Sequence, residues 1–572
     1  MKQIYGWKVT LTALLCAVSF SGFSQENCQV KDQQPIQLLD QELKRGLNVF
    51  KKQNPPVYYL SYTFTDTHKS YIGVEANGVV DEHSFRQHSM EVAPHVGSVH
   101  MDNTRPRKDG IVRQYVESDW VPSPFEQDTL AFRRALWALT QKAVIKAQGE
   151  YDNVRAEAQT SSARQDNSDD FVFPPVSTHC HMIPEEKIDL ARVREMLVRL
   201  SNQVRGHKEV LDSWFSLSMQ QGHRYFVDSR GTKLVTPFLF IRLSYSLEGK
   251  TADGSSLQRG KTYDVLSGQE LPDEKTIQAD IATSLQELKE LMAAPEADPV
   301  TVPAILKNRA MAVFVHEVLG HRMEGHRQKQ DSFGKTFTQK VGQSVTAPFI
   351  TIVDDATLPA FKQIPLRGFY EYDDEGVKVR PVTLVKNGVL TEFLMNSSPI
   401  SGFSASNGHG RRSIGESPVA RMGVTRLIAS ETVSYEELEK MLLAEVKRQN
   451  KPYGYVIDDL SGGFTMTDTA VPQVFKLEPL YVYRLYPDGR KEVVRGADMV
   501  GTPLVSFSKI KAAADDYEVF NGTCGAESGW VPVSSIAPSV LLEALEIEKT
   551  AKGTRKPPIL PAPMAILPGG NK

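Results

Sequence analysis

The chain has 572 residues, 41% hydrophobic and 24% charged, an ordinary globular composition with room for two or more domains. A net charge of −3 and scattered Lys and Arg, with no basic stripe interleaved with aromatics, exclude an electrostatic platform for nucleic acid or anionic lipid.

Residues 1–24 read as a secretory signal peptide. Lys2 and Lys8 form the basic region, residues 9–20 the apolar core, and Gly22 and Ser24 the small residues before cleavage at Gln25. The apolar run is shorter than the roughly 20 residues a membrane span needs, so no stable span is expected after cleavage. Export, most simply to a periplasm, is the expectation; an uncleaved N-terminal anchor is the alternative. Cleavage would leave Cys28, Cys180 and Cys524, an odd set in which at least one is unpaired within the chain. Cys28 with Cys180 is one possible disulfide, and nothing in the sequence fixes it.

Apolar spacing predicts a helix over 35–52, strands over 57–65, 70–77, 83–92 and 97–101, and a long helix from 129 to about 158. The polar stretch 159–170 reads as an exposed linker. A helix is predicted over 188–218, strands at 224–228 and 234–247 about an Arg230-Gly231 turn, and a helix over 277–292 that residues 293–299 break. The expected fold class is α+β. An N-terminal α/β scaffold domain spans 25–300. A predominantly antiparallel, barrel-like catalytic domain follows over 301–550 and carries a buried metal-binding helix. Within it, Asn387-Gly388 between 382–386 and 389–394 signals a hairpin. The Pro-rich residues 551–572 read as an extended tail.

The chemistry gathers in His316-Glu317-Val318-Leu319-Gly320-His321, after a stretch, 304–312, with helical apolar spacing. Two imidazoles beside a carboxylate are the parts of a metal-dependent hydrolase: the histidines hold an ion and the carboxylate takes a proton from its water. The common spacing puts the histidines at i and i+4, about 40° apart around a helix. Here they are at i and i+5, about 140° apart, so a regular helix would separate them. A π-type bulge or break at 318–320, permitted by Gly320, would reunite them. Either histidine alone would be a core residue satisfied by backbone carbonyls. Glu317 in an apolar helix favours the metal reading, because a buried carboxylate needs a partner. Glu317, His321 and Glu324 form a rival set on one helical face, richer in oxygen and better suited to Mn or Fe. His179 and His181 flank Cys180, but alternation along a strand puts the cysteine on the opposite face, so that tripeptide reads as chance.

The stretch resembles the His-Glu-x-x-x-His signature of the TldD/PmbA family of zinc peptidases, continued by Gly320-His321-Arg322-Met323-Glu324-Gly325. His326 departs from it, where the family often has Asp. The similarity resumes at residues 342–348, 353–355, 372–377, 406–412 and 420–422, and at Cys524-Gly525. It implies Cys524 as third ligand beside His316 and His321, in a turn-rich loop, and one zinc per chain with Glu317 as catalytic proton carrier. Glu324 then becomes a partner of a histidine ligand. His409, Arg411, Arg412 and Arg421 become candidates for stabilising an oxyanion, although surface salt bridging is the individual expectation for each arginine. Ser461-Gly462-Gly463-Phe464-Thr465 resembles a segment beside the family's substrate channel, which implies unfolded or extended peptides as substrates. The family pairs metal-bearing with metal-free subunits, so a homodimer or a heterodimer with a metal-free relative is implied. The alternatives are a catalytically silent assembly partner, and a metal-dependent hydrolase of a non-peptide amide or ester.

Overall fold

The computed structural model describes residues 28–75, 78, 80–106, 114–121, 128–160, 166–329, 336–465 and 474–550. The signal at 1–24, the tail at 551–572 and part of the 159–170 linker lie outside them. The fold is α+β with mostly antiparallel sheets.

The first half is built on one large sheet. Strands β1 (Val57–Glu75), β2 (Val80–Ser98), β3 (Thr178–Cys180), β4 (Asp212–Asp228), β5 (Lys233–Lys250) and β6 (Ser256–Val265) join two short strands, Met101–Asp102 and Glu117–Val121. The order runs β2–β1–β4–β5; β3 lies parallel against the start of β5 and β6 antiparallel against its end. Helices α1 (Gln34–Phe50) and α2 (Thr129–Thr160) pack on Leu60, Tyr62, Phe64, Tyr225 and Val227. Helices α3 (Leu190–Val204) and α4 (Glu274–Ala293) cover Ile72, Val74, Phe215 and Leu217 further along. Period-two alternation turns Arg224 and Phe226 to the other face. There Phe226 meets Tyr372, and Arg224 pairs with Asp374 and donates to the Tyr372 carbonyl at 3.0 Å. The same face thus docks onto the second half of the chain.

Several expectations change. The helix predicted over 188–218 ends at Val204, because Phe215, Leu217 and Met219 are buried at every second position and pair along β5. The strands predicted at 57–65 and 70–77 are one, β1, and β6 was not expected at all. Asp170, expected in an exposed linker, is buried and accepts Arg105 Nε at 2.6 Å.

The second half contains two large sheets with the histidine-bearing helix between them, and two small two-stranded ones. Strand β7 (Val300–Leu306) occupies the start of the stretch predicted as helix, and α5 (Asn308–Phe314) begins only after it. Strands β8 (Ile350–Asp354), β9 (Val382–Lys386), β10 (Val389–Leu390), β11 (Val424–Ala429), β12 (Gly454–Thr465), β13 (Phe475–Leu485), β14 (Ala497–Gly501), β15 (Glu518–Ala526), β16 (Gly529–Ala537) and β17 (Val540–Lys549) follow. One sheet runs β10–β9–β8–β11–β16–β15. Asn387 and Gly388, at φ 49° and 81°, make the two-residue turn between β9 and β10. The other sheet closes into a five-strand barrel, β12–β7–β17–β14–β13 and back to β12. Helix α5 is apolar and buried from Ala310 to Phe314, as expected of a segment packed on all sides.

Candidate metal centre

Past α5 the backbone makes a π-helical turn, Val315–Leu319, then a 3-10 turn, Gly320–Met323. The wider turn inserts the residue by which the His316–His321 spacing exceeds one helical repeat, and it brings the two rings to 5.2 Å between centroids. Gly320 permits this for a different reason than backbone freedom. Its φ is −53°, open to any residue, but an added Cβ would lie 1.9 Å from Met422 Sδ. Glycine is needed there for packing.

Cys524 reaches the same point from β15. The segment expected as a loop is a regular antiparallel strand in which Cys524 faces Val531, and Gly525 lies beneath the Trp530 ring. Its Sγ is 3.2 Å from His321 Nε2, and ligand atoms of His316, His321 and Cys524 all lie within 4.8 Å of one another. All three residues are buried. His316 Nδ1 is buried with no hydrogen-bond partner, an expensive arrangement unless another group takes it up. Burial acts to raise the Cys524 pKa, but the charges of His321 and His316 outweigh it and hold the thiol well below its usual 9.0. Two imidazoles, one of them with an orphaned nitrogen, and one thiolate fit a zinc-class ion.

Glu317 lies beside the cluster, its Oε2 4.0 Å from His321 Nε2, and its side chain is only partly exposed. Burial raises its pKa in spite of the two histidines. Glu324 sits on the other side of the same ring, 3.2 Å from His321 Nδ1. The rival Glu317/His321/Glu324 set is therefore not brought together, because its carboxylates face opposite nitrogens of one imidazole. Glu324 instead orients His321 and stays ionised. Burial alone would raise it, but His321 and Arg327 bring it down to about 2.

Arg421 departs most from expectation. Rather than bridging at the surface it is fully buried, donating to the Cys524 carbonyl at 2.7 Å and to Ser528 Oγ at 2.9 Å, with Nε 3.5 Å from Glu324. It ties the strand carrying the thiol to the carboxylate behind His321. Arg411 is also buried, donating to the Met422 carbonyl at 2.6 Å, and Arg412 pairs with Glu91 of the first sheet. His409 is engaged at both ring nitrogens, Nδ1 with Asn407 Oδ1 at 2.9 Å and Nε2 with Asp354 at 3.2 Å, so it holds the fold together. Sequence reasoning missed Glu527, which takes both Arg327 amino groups at 2.6 and 2.9 Å and completes the chain of charges behind the centre. Its nearness to Cys524 was the one available signal.

Gly462 and Gly463 lie in β12, whose pairing with β7 covers only Tyr455–Ile457. A Cβ on Gly463 would collide with Leu477, whereas Gly462, at φ +148°, has open space beside it. Arg322, from the turn after His321, donates to Thr465 at the end of this strand.

Residues 299–549 match the PmbA/TldA metallopeptidase C-terminal domain family. The metalloprotease TldD homolog of Haemophilus influenzae is 28% identical over 264 residues, covering 45% of this chain and 50% of that protein. A metalloprotease of Methanothermobacter thermautotrophicus is 26% identical over 366 residues, 62% of this chain and 74% of the relative. The chain thus spans about half the length of the first of these relatives. The crystal structure of TldE from Thermococcus kodakarensis shares the fold, with a TM-score of 0.59 at 14% identity over 89% of this chain and 100% of that one.

Proposed function

We propose, for a chain that belongs through residues 299–549 to the TldD/PmbA family, that it is an exported zinc-dependent peptidase of unfolded or extended peptides. The observation that carries this reading is the convergence of His316, His321 and Cys524 on one buried point with Glu317 at its edge.

A zinc ion held by these three residues would supply Lewis acidity toward the scissile carbonyl and a water of lowered pKa. Glu317, near His321 but outside the ligand set, would serve as the general base toward an attacking water and as the proton donor to the leaving amine. Glu324 holds the His321 ring in one orientation, and Arg421 fixes the Cys524 backbone, so the ligands are positioned before any substrate arrives. Beyond Ile457, β12 extends past its β7 partner, and Gly462 keeps the backbone uncrowded. That segment suits an incoming peptide adding as a strand. Export accords with the Cys28–Cys180 disulfide and the signal-like residues 1–24. Among the described residues no helix is long and apolar enough to cross a membrane. Assembly as a homodimer or with a metal-free relative belongs to the same reading.

The test combines zinc content with a peptidase assay on an unstructured peptide. Cys524→Ala and His321→Ala should each lose one zinc equivalent and all activity. Glu317→Gln should keep its zinc while kcat falls about 10²–10⁴-fold. Full activity in Glu317→Gln would remove the proton-transfer role, and unchanged zinc in Cys524→Ala would remove the thiolate ligand.

A further inference from the structure

His179 and His181 lie at and just beyond the end of β3, whose pairing with β5 matches His179 to Leu234 and Cys180 to Val235. The His181 amide donates to the Val235 carbonyl at 2.9 Å, which fixes the strand end. Alternation sends Cys180 to the helix-covered face, where it is bonded to Cys28 and packs on the α1–α2 core. Both imidazoles therefore point the other way, toward the second half of the chain. There they meet a residue that the local sequence gives no hint of. Glu371 Oε2 is 3.2 Å from His179 Nε2 and 3.1 Å from His181 Nδ1.

We propose that His179, His181 and Glu371 form a second metal site, which takes a divalent cation of the zinc class and ties the N-terminal sheet to the 371–374 loop.

Geometry and donor chemistry agree. Ligand atoms about 2.0–2.1 Å from one tetrahedral ion lie about 3.3 Å from each other. The two nitrogen–oxygen separations, 3.2 and 3.1 Å, come within about 0.2 Å of that value, and all three ligand atoms lie within 4.8 Å of one another. Two imidazoles and a carboxylate suit zinc, cobalt or nickel, and without a thiolate nothing selects softer ions. Side-chain exposures of 27%, 21% and 30% leave an open side for a solvent ligand. Each arm of the site is anchored independently of the ion. The disulfide holds β3 from behind, while Arg224 grips the carbonyls of Tyr372 and Asp373 at 3.0 and 3.1 Å. The Tyr372 ring rests against His179, 5.0 Å between centroids. The cation would therefore close a junction that the protein has already aligned.

The experiment loads the full chain with zinc chloride and, in parallel, with cobalt(II), whose thiolate-to-metal charge-transfer band marks the Cys524 site. Wild type should hold two equivalents. Glu371→Gln preserves an acceptor for both histidines and should hold one, with the thiolate band intact as proof of folding. Cys524→Ala should hold one cobalt without that band, and the double variant none. His181→Ala should repeat the Glu371→Gln result. Equal stoichiometry in wild type and Glu371→Gln overturns the inference, as does a wild type holding one equivalent that bears the thiolate band. In either case a retained thiolate band keeps the proposed catalytic site. A wild type holding one equivalent without the band, and losing it in Glu371→Gln, would sink the catalytic site and leave this one.

Discussion

His321 presents one nitrogen to the Cys524 thiol and the other to Glu324, at the end of a helix apolar on every side. His179 and His181 share a single Glu371 oxygen at a partly exposed seam between two halves of the chain. Both clusters bring two imidazoles to one anion, yet they are held differently. The inner one is backed by a continuous run of charge, buried from His321 to Glu324 to Arg327 and ending at the partly exposed Glu527, with Arg421 bracing the thiol strand. The outer one is backed by a covalent bond on the far face of its strand and an arginine gripping backbone carbonyls. The proposed catalytic centre has its support gathered behind His321 and Cys524, whereas the proposed clamp has two fixed arms.

The contrast can be broken at three points. Glu324→Gln removes the charge behind His321. It should weaken zinc at the inner site about 10–100-fold in competition with a chelator, and leave the Glu371 site unchanged. Equal weakening at both sites would mean the clusters share their support. Gly320→Ala should cost about 1–3 kcal/mol in denaturant unfolding, because Met422 must move to admit the methyl group. Gly320→Ala/Met422→Ala should cost less than the two single variants added together, a coupling that identifies packing as the cause. The third point concerns pH. Burial first, and the charge of Asp373 second, push Glu375 up to about 8 from 4.5. The folded state then binds more protons than the unfolded one across that interval, so stability should fall as pH rises through it and level off above. Thermal midpoints measured across that range should decline less in Glu375→Gln, which shares a loop with Glu371, while zinc stoichiometry stays the same.

What could be read in advance follows from how far away each residue's partners lie. The i, i+5 spacing of His316 and His321 required a helical irregularity, and the π turn supplies it within five residues. Asn387-Gly388 announced its turn because the needed φ values are local. Arg421 could not be read this way, since its partners at Cys524 and Ser528 lie about a hundred residues on and nothing near it marks burial. Cys524-Gly525 looked like a loop because glycine disfavours strands, but Trp530 across the ladder covers the missing side chain. The His-Cys-His tripeptide was correctly split between two strand faces, and its meaning changed only when Glu371 arrived from the other half.

The barrel closes by pairing β7 with β17, matching Val300 to Ile547. As the polypeptide is made, β7 and the two histidines emerge early in this unit, while Cys524 and the closing strand come last. His321 and Cys524 are 203 residues apart in sequence, so the thiol meets the imidazoles only after a long loop has closed. Until then the apolar helix and the edge of β7 lack their covers. The inner cluster cannot be completed before Cys524 is in place, and a chain interrupted before β15 would carry its two histidines without the thiol they meet.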